Sequence, residues 1–187
     1  YSVLYVRSDS GIASMADLKG KTLAFADENS TSGYLFPNFE LREAGFDPAS
    51  YFASTGFAGG HEQGVVAVLN HQFDAGVTWV SGVGEQSEGY SRGNLHAMVE
   101  KGMLNMADLE ILWQSSLIPN GPWTIRSALP AEFKAKFLDL MLKLPTEHPE
   151  IYAEVERGTG AGYEQVQHDF FASVIKLRED EISGRRS

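Results

Sequence analysis

The stretch KTLAFADENSTSGYLFPNFELREAG, residues 21–45, decides the fold class of this chain. Its first six residues form a compact apolar run, which is typical of a buried strand. From residue 32 to residue 44 the apolar residues recur at helical spacing, and the glycine that follows ends the pattern. Between strand and helix the chain places three hydroxyl residues and a glycine, STSG at 30–33. The stretch therefore predicts a strand–turn–helix unit with a polar turn at the carboxyl end of the strand.

The alternation of strand and helix continues on both sides of this unit, which indicates an α/β fold with parallel βαβ units and a purely helical tail. Ligands of open α/β sheets bind at the carboxyl ends of the strands. Two turns stand at such ends, at 27–33 and 58–61. The other predicted strands span 1–7, 51–57, 75–80, 109–114 and 123–126, and the other predicted helices span 14–18, 62–70, 94–101, 131–143, 147–157 and 163–178.

Composition excludes several classes of function. The chain has 187 residues with 43% hydrophobic content, enough for a real core, and a formal net charge of -10 that argues against nucleic acid or an anionic membrane as partner. Cysteine is absent, so disulfides, zinc–thiolate sites and thiol catalysis are excluded. No stretch approaches the roughly 20 apolar residues of a membrane span. A small anion remains a possible ligand, provided that it is bound by a local site.

The hydroxyl turn carries the main functional hypothesis. Ser30, Thr31 and Ser32 precede a helix, whose first N–H groups lack partners and carry partial positive charge. Neutral hydroxyl and amide donors there suit a tetrahedral oxyanion without any lysine, and Gly33 lets the ligand or the backbone come close. The same residues are also favoured as ordinary helix caps, and the pattern leaves both interpretations open. No Walker loop and no GxGxxG follows a strand, so the sequence gives little support for a nucleotide ligand.

Two further side chains are candidates for the same site. His61 begins the next helix after two glycines, where its ring either donates a proton to the anion or acts as an ordinary capping or surface histidine. Trp79 ends the apolar run AGVTW, where it either walls a small pocket or lies half-buried in the core. No two histidines have the spacing of metal ligands, so neither a metal site nor a cofactor is predicted.

Four segments occur in an order that resembles one known family. They are DLKGKTLAFADENSTSGYLFP at 17–37, FAGGHEQGVVAVLN at 57–70, FDAGVTW at 73–79 and ILWQSSLIPNGPWTIRSALP at 111–130. The order resembles that of the periplasmic phosphate/phosphite/phosphonate-binding proteins of ABC importers, and the resemblance covers essentially the whole chain. It implies a type II periplasmic-binding-protein fold, in which two α/β lobes are joined by crossover strands and close on the ligand at a hinge.

The resemblance also implies a division of the chain. Residues 1–9 would form the first crossover strand, and residues 10–116 would form lobe two. Residues 117–187 would supply the return crossover strand and C-terminal helices that pack on lobe one. Because family members are longer at the N-terminus, we expect the N-terminal part of lobe one to be missing from this chain.

In the resembling family, a Ser-Thr-Ser turn and a histidine hold the phosphonate oxygens, which implies this role for Ser30, Thr31, Ser32 and His61. Trp79 stands where relatives often have polar residues, so it would shrink the pocket or face an alkyl group. The expected function is capture of a small phosphorus oxyanion in the periplasm and its delivery to an ABC permease in the inner membrane. The expected protein is a monomer without enzymatic activity.

The resemblance also bears on the choice of ligand. Members that bind aminoalkyl phosphonates place carboxylates near the ligand amine, and here those positions hold Ser81 and Asn120-Gly121. A buried ammonium group without a partner is costly. We therefore expect poor binding of aminoethylphosphonate and better binding of phosphite, methylphosphonate or phosphate.

Two alternatives stay open at this point. The same fold also binds other small anions, such as a sulfonate or a thiamine precursor. An enzyme would need an activated nucleophile, and Ser32 beside His61 would be a candidate pair, but the sequence offers no third group to orient them.

Overall fold

The computed structural model describes residues 1–156 and 162–184. The chain divides into two units, one formed by Tyr1–Ile118 together with the segment that begins at Ser173, and the other by Pro119–Ala172. None of the helices in the described part of the chain is long and apolar enough to cross a membrane.

A five-stranded sheet organises the first unit, with the strand order β3-β2-β4-β1-β5. Strand β2 pairs in parallel with β3 and β4, whereas β1 pairs antiparallel with β4 and β5. Four strands therefore run in one direction, as expected from the βαβ pattern, and β1 is the exception. The strands are β1 (Ser2–Arg7), β2 (Thr22–Phe25), β3 (Ser54–Phe57), β4 (Ala75–Trp79) and β5 (Leu109–Gln114).

Strand β1 runs antiparallel to its neighbours because of the way in which it is connected to β2. A parallel pair needs a crossover that returns the chain to the end where the first strand began. The connection over residues 8–21 holds only a short 3₁₀ turn at Met15–Leu18, and β2 starts from the end of the sheet where β1 stops. The amino end of β1 consequently lies at the same edge as the carboxyl ends of the other strands.

Helices cover both faces of the sheet, and β1 shows why both faces are apolar. Because successive side chains of a strand point to opposite faces, Val3 and Tyr5 join one buried cluster, and Leu4 and Val6 join a second one. All four side chains are fully buried. The helices of this part of the chain are α1 (Phe36–Glu43), α2 (Pro48–Tyr51), α3 (His61–Leu69) and α4 (Asn94–Glu100).

The strand expected over 51–57 is wrong in its first three residues. Helix α2 occupies Pro48–Tyr51, and strand β3 starts only at Ser54. The side chain of Asp47 accepts a hydrogen bond from the N–H of Ala49, and proline suits the first position of a helix. These start signals override the β propensity of the aromatic residues that follow.

The strand expected over 123–126 is also absent. Residues 115–130 contain neither helix nor strand, and the Trp123 side chain is 60% exposed. A strand is stable only where a neighbour completes its hydrogen bonds. Among the described residues the sheet ends at β5, so this segment has no strand beside it.

The helical tail is confirmed, with shifted bounds. Helices α5 (Ala131–Glu147) and α6 (Pro149–Glu156) belong to the second unit, and the last residue of the helix expected over 147–157 lies outside the described residues. The expected helix 163–178 begins later, as a 3₁₀ turn at His168–Phe171 followed by α7 (Ala172–Gly184). Leu177 of α7 packs with Phe36 and Phe39 of α1. The division into 1–9, 10–116 and 117–187 stays a prediction.

Candidate functional site

The turn after β2 is held by backbone hydrogen bonds. The N–H of Ala26 donates to the carbonyl of Gly33 over 3.1 Å, which ties the end of the strand to the start of the next helix. Asp27 accepts from the N–H of Asn29 through its side chain over 2.9 Å and from the N–H of Ser30 through its carbonyl over 3.1 Å. A turn closed by an aspartate in this way has a fixed shape.

The helix after this turn begins with a wide π-helical turn at Thr31–Leu35, which continues into α1. Ser30 is its cap, and the Ser30 Oγ accepts a hydrogen bond from the N–H of Gly33 over 3.0 Å. The capping interpretation is therefore correct for Ser30. Among the described residues, no hydrogen bond is donated by the N–H of Thr31 or of Ser32, and the Thr31 side chain is exposed. These two amides are open donors at a helix start.

His61, the first residue of α3, lies against this turn. Its Nε2 is 3.3 Å from the Oγ of Ser30, and its Nδ1 is 3.2 Å from the Oγ1 of Thr78 on β4. The ring is half-buried, and burial lowers the pKa of His61 below its ordinary value of 6.5. The neutral form of the ring therefore predominates at pH 7. The serine that contacts His61 is thus Ser30 and not Ser32, which the enzyme alternative would have paired with it.

Ser32 contributes to the site through its backbone. Its carbonyl accepts a hydrogen bond from the Oγ of Ser2 over 2.6 Å, and the N–H of Ser2 donates to the Oγ of Ser115 over 2.8 Å. Ser2 and Ser115 are both buried at the edge of the sheet. The start of β1 and the end of β5 therefore hold the hydroxyl turn in place.

Trp79 ends β4 at the same edge of the sheet. Its side chain is 38% exposed, while the neighbouring residues Thr78 and Val80 are fully buried. Trp79 is therefore not a core residue, and its indole ring is available to a ligand.

Ser81, two residues on, donates from its Oγ to the carbonyl of Val83 over 3.1 Å.

The sequence analysis missed three hydroxyl residues of this edge, Ser2, Thr78 and Ser115. Each is buried in or beside a strand that is otherwise apolar. A hydroxyl inside a buried strand needs a hydrogen-bond partner. A hydroxyl residue within an apolar strand was therefore the signal in the sequence that could have identified these three positions. The identity of each partner depends on which strands are neighbours, which the pattern of residues did not specify.

A family model described as "ABC transporter, phosphonate, periplasmic substrate-binding protein" matches residues 1–169. The chain belongs to this family. The description of this phosphonate-binding family is that of a substrate-binding component of a transporter and not that of an enzyme. The resemblance identified from the four sequence segments is therefore confirmed.

Individual relatives agree with the family match. The chain is 33% identical over 161 residues to the phosphonates-binding periplasmic protein of Escherichia coli (strain K12), an alignment that covers 84% of this chain and 44% of that protein. It is 29% identical over 130 residues to the phosphate-import protein PhnD of Mycolicibacterium smegmatis, covering 66% of this chain and 37% of that protein. The chain thus spans less than half the length of these curated relatives.

A solved structure supports the fold. The binding-protein component of an ABC phosphonate transporter from Pseudomonas aeruginosa is 27% identical, with a TM-score of 0.60 over 95% of this chain and 56% of that one. The described part of this member of the phosphonate-binding family therefore has the type II periplasmic-binding-protein fold, and the fold expectation is confirmed.

Proposed function

We propose that this protein captures a small phosphorus oxyanion in the periplasm and delivers it to an ABC permease in the inner membrane. Phosphite, methylphosphonate and phosphate are the ligands that best suit the side chains present. The protein acts as a monomeric binding module and performs no chemistry on the ligand.

The observation that carries this proposal is the pair of open amides at Thr31 and Ser32. Among the described residues neither N–H has a hydrogen-bond acceptor, and both stand at a helix start, where the peptide dipoles favour negative charge. The exposed Thr31 hydroxyl adds a donor beside them. A tetrahedral oxyanion is bound there by neutral donors alone.

The remaining proposed ligand residues surround this turn. Ser30 and His61 are in contact with each other, and both lie beside the start of the helix. Trp79 offers an apolar surface at the same edge of the sheet, which suits a P–H or P–CH₃ group that forms no hydrogen bond. Ser32 contributes its hydroxyl and its open amide.

Two positions implied by the family resemblance support small ligands over aminoalkyl phosphonates. The resemblance implies acidic groups at the positions of Ser81 and Asn120-Gly121. An ammonium group of the ligand would then lose its water without gaining a charged partner. We expect 2-aminoethylphosphonate to bind more weakly than methylphosphonate.

Titration of the ¹⁵N-labelled chain followed by NMR tests this proposal, because amide shifts report weak binding and locate it. Phosphite, methylphosphonate and phosphate are added separately at constant ionic strength. We expect saturable shifts at the amides of residues 31–33 and none at Asn94 and Leu95, which start α4 and serve as an internal control. Shifts that are absent at 31–33, or equal at both helix starts, would contradict the proposal.

Methanesulfonate, added in the same way, tests the alternative anion class. Its sulfur is tetrahedral and carries three oxygens, like the phosphorus of a phosphonate, but the group has a single negative charge. Stronger binding of methanesulfonate than of every phosphorus anion would replace the proposed ligand class with sulfonates.

A further inference from the structure

We infer that Thr78 is a positioning residue: by donating its hydroxyl proton to Nδ1 of His61, it selects the ring tautomer that makes both His61 and Ser30 hydrogen-bond donors. This inference rests on the proposed function in one respect only, namely that the acceptor of the Ser30 hydroxyl proton is a bound oxyanion. The tautomer itself is a property of the free protein.

The burial of Thr78 fixes the direction of its hydrogen bond. Thr78 is fully buried in β4, and among the described residues the one partner of its Oγ1 is the Nδ1 of His61, at 3.2 Å. A buried hydroxyl proton without an acceptor is costly, so Thr78 donates and Nδ1 accepts. The single proton of the neutral ring then belongs to Nε2.

The proton on Nε2 determines what Ser30 does. The Oγ of Ser30 already accepts from the N–H of Gly33 over 3.0 Å, and the Nε2–H of His61 lies 3.3 Å away. A hydroxyl has two lone pairs and one proton, so both acceptor positions are occupied and the proton remains for another group. Ser30 is therefore a donor towards whatever lies beyond the turn.

The opposite tautomer would reverse this arrangement. With the proton on Nδ1, the ring would donate to Thr78, and the bare Nε2 would take the hydroxyl proton of Ser30. Ser30 would then present no proton to a ligand, and the Thr78 hydroxyl proton would lack an acceptor. A site made only of donors prefers oxygens that carry no proton, so Thr78 favours an oxyanion whose contacting oxygens are unprotonated.

The ring ¹⁵N shifts of His61 test the tautomer in the ligand-free chain. The signals are assigned by their loss in His61→Gln, since the chain has five histidines. We expect a protonated Nε2 and an unprotonated Nδ1 in the wild type and in Thr78→Ser, which keeps the hydroxyl. Thr78→Val keeps the shape but lacks the hydroxyl, and should shift the ring towards the Nδ1–H form. A wild-type ring with its proton on Nδ1, or an unchanged ring in Thr78→Val, would overturn the inference.

Binding of methylphosphonate to the same variants connects the tautomer to recognition. We expect Thr78→Val to bind about tenfold more weakly than the wild type and Thr78→Ser to bind within about twofold of it. Equal binding by Thr78→Val overturns the inference and leaves the proposed function intact. Conversely, the expected tautomers in a chain that binds no oxyanion support the role of Thr78 and refute the proposed function. If Thr78→Val does not fold, the wild-type tautomer and Thr78→Ser decide the question.

Discussion

Gly33 and His61 lie so close together that no side chain fits between them. A Cβ at position 33 would be 2.8 Å from the Cε1 of His61, 2.8 Å from the Oγ of Ser30 and 2.5 Å from the Cβ of Ala26. Contacts this short do not occur between unbonded carbon atoms. The glycine therefore allows the helix start, the histidine and the end of β2 to meet.

The substitution Gly33→Ala should consequently damage both the fold and the site. We expect the free energy of unfolding to fall by about 1–3 kcal/mol, the usual cost of overpacking, as measured by urea denaturation. The control is Gly121→Ala, where the new Cβ would meet nothing within 4 Å and which should change stability by less than about 0.5 kcal/mol. Equal free energies of unfolding for the two variants would show that there is more space around position 33 than these distances indicate.

His61 gives the stability of the protein a defined pH dependence. Burial lowers the pKa of His61 in the folded chain, whereas the unfolded chain takes up this proton near the ordinary pKa of 6.5. Between the two pKa values the unfolded state binds more protons, so the free energy of unfolding falls as the pH decreases through that window. The contribution of His61 is fully present above pH 6.5 and is lost as the pH falls through the folded-state pKa.

His61→Gln isolates this contribution, because the other four histidines and all carboxylates are present in both proteins. The difference in unfolding free energy between wild type and variant, measured by urea denaturation from pH 5 to pH 8, should shrink on the acidic side. A difference that does not change with pH would mean that the His61 ring is as accessible to protons in the folded chain as in the unfolded chain.

The sequence alone predicted the central part of the candidate site. The turn after β2 and the histidine at the start of α3 both stand at carboxyl ends of parallel strands, and the structure brings Ser30 and His61 within 3.3 Å. Thr78 was missed, because its importance depends on β4 lying beside α3 with the hydroxyl facing the ring. Periodicity gives the face of a strand on which a residue lies, but not the partner that covers this face.

Two differences between the expected and the observed fold have the same origin. The pattern of residues 123–126 matches a strand, yet strand formation depends on a neighbour, and none of the described residues supplies one. The direction of β1 likewise depends on where β2 begins and not on the sequence of β1 itself. In contrast, α2 was missed although its signals, Asp47 and Pro48, are local. Local capping chemistry there outweighs the aromatic β propensity of the residues that follow.

Substitution of Thr31 distinguishes an effect on ligand binding from an effect on stability better than substitution of its neighbours does. Ser30 caps the helix, so Ser30→Ala should lose about 1 kcal/mol of stability even without ligand. Thr31 is exposed, and among the described residues its hydroxyl makes no hydrogen bond. We expect Thr31→Ala to keep the unfolding free energy of the wild type and to bind methylphosphonate about fivefold to tenfold more weakly in the NMR titration. Thr31→Ser, which keeps the hydroxyl, should restore binding, and failure to do so would argue against direct contact.

Trp79 should contribute more to the affinity for ligands that have an apolar group than to the affinity for those that have none. Burying a methyl group against the indole ring contributes about 0.8 kcal/mol, which is roughly fourfold in affinity. We therefore expect Trp79→Ala to weaken methylphosphonate about fourfold relative to phosphate, measured by parallel titrations. Met103→Ala, at another exposed apolar residue, should leave this ratio unchanged. If Trp79→Ala leaves the ratio of the affinities for methylphosphonate and phosphate unchanged, Trp79 is not part of the ligand site.

Tyr5 carries a hydroxyl that the fold does not use. The side chain is fully buried, its hydroxyl has no hydrogen-bond partner among the described residues, and a Cβ at position 76 would collide with its ring. Removal of a buried and unpaired polar atom relieves its desolvation cost, so Tyr5→Phe should raise the free energy of unfolding by up to about 1 kcal/mol. The matched control is Tyr51→Phe, whose hydroxyl donates to the carbonyl of Met15 over 3.1 Å and whose loss should cost about 1 kcal/mol. Urea denaturation of both variants checks the opposite signs, and destabilisation by Tyr5→Phe would reveal a buried partner for its hydroxyl, such as a bound water.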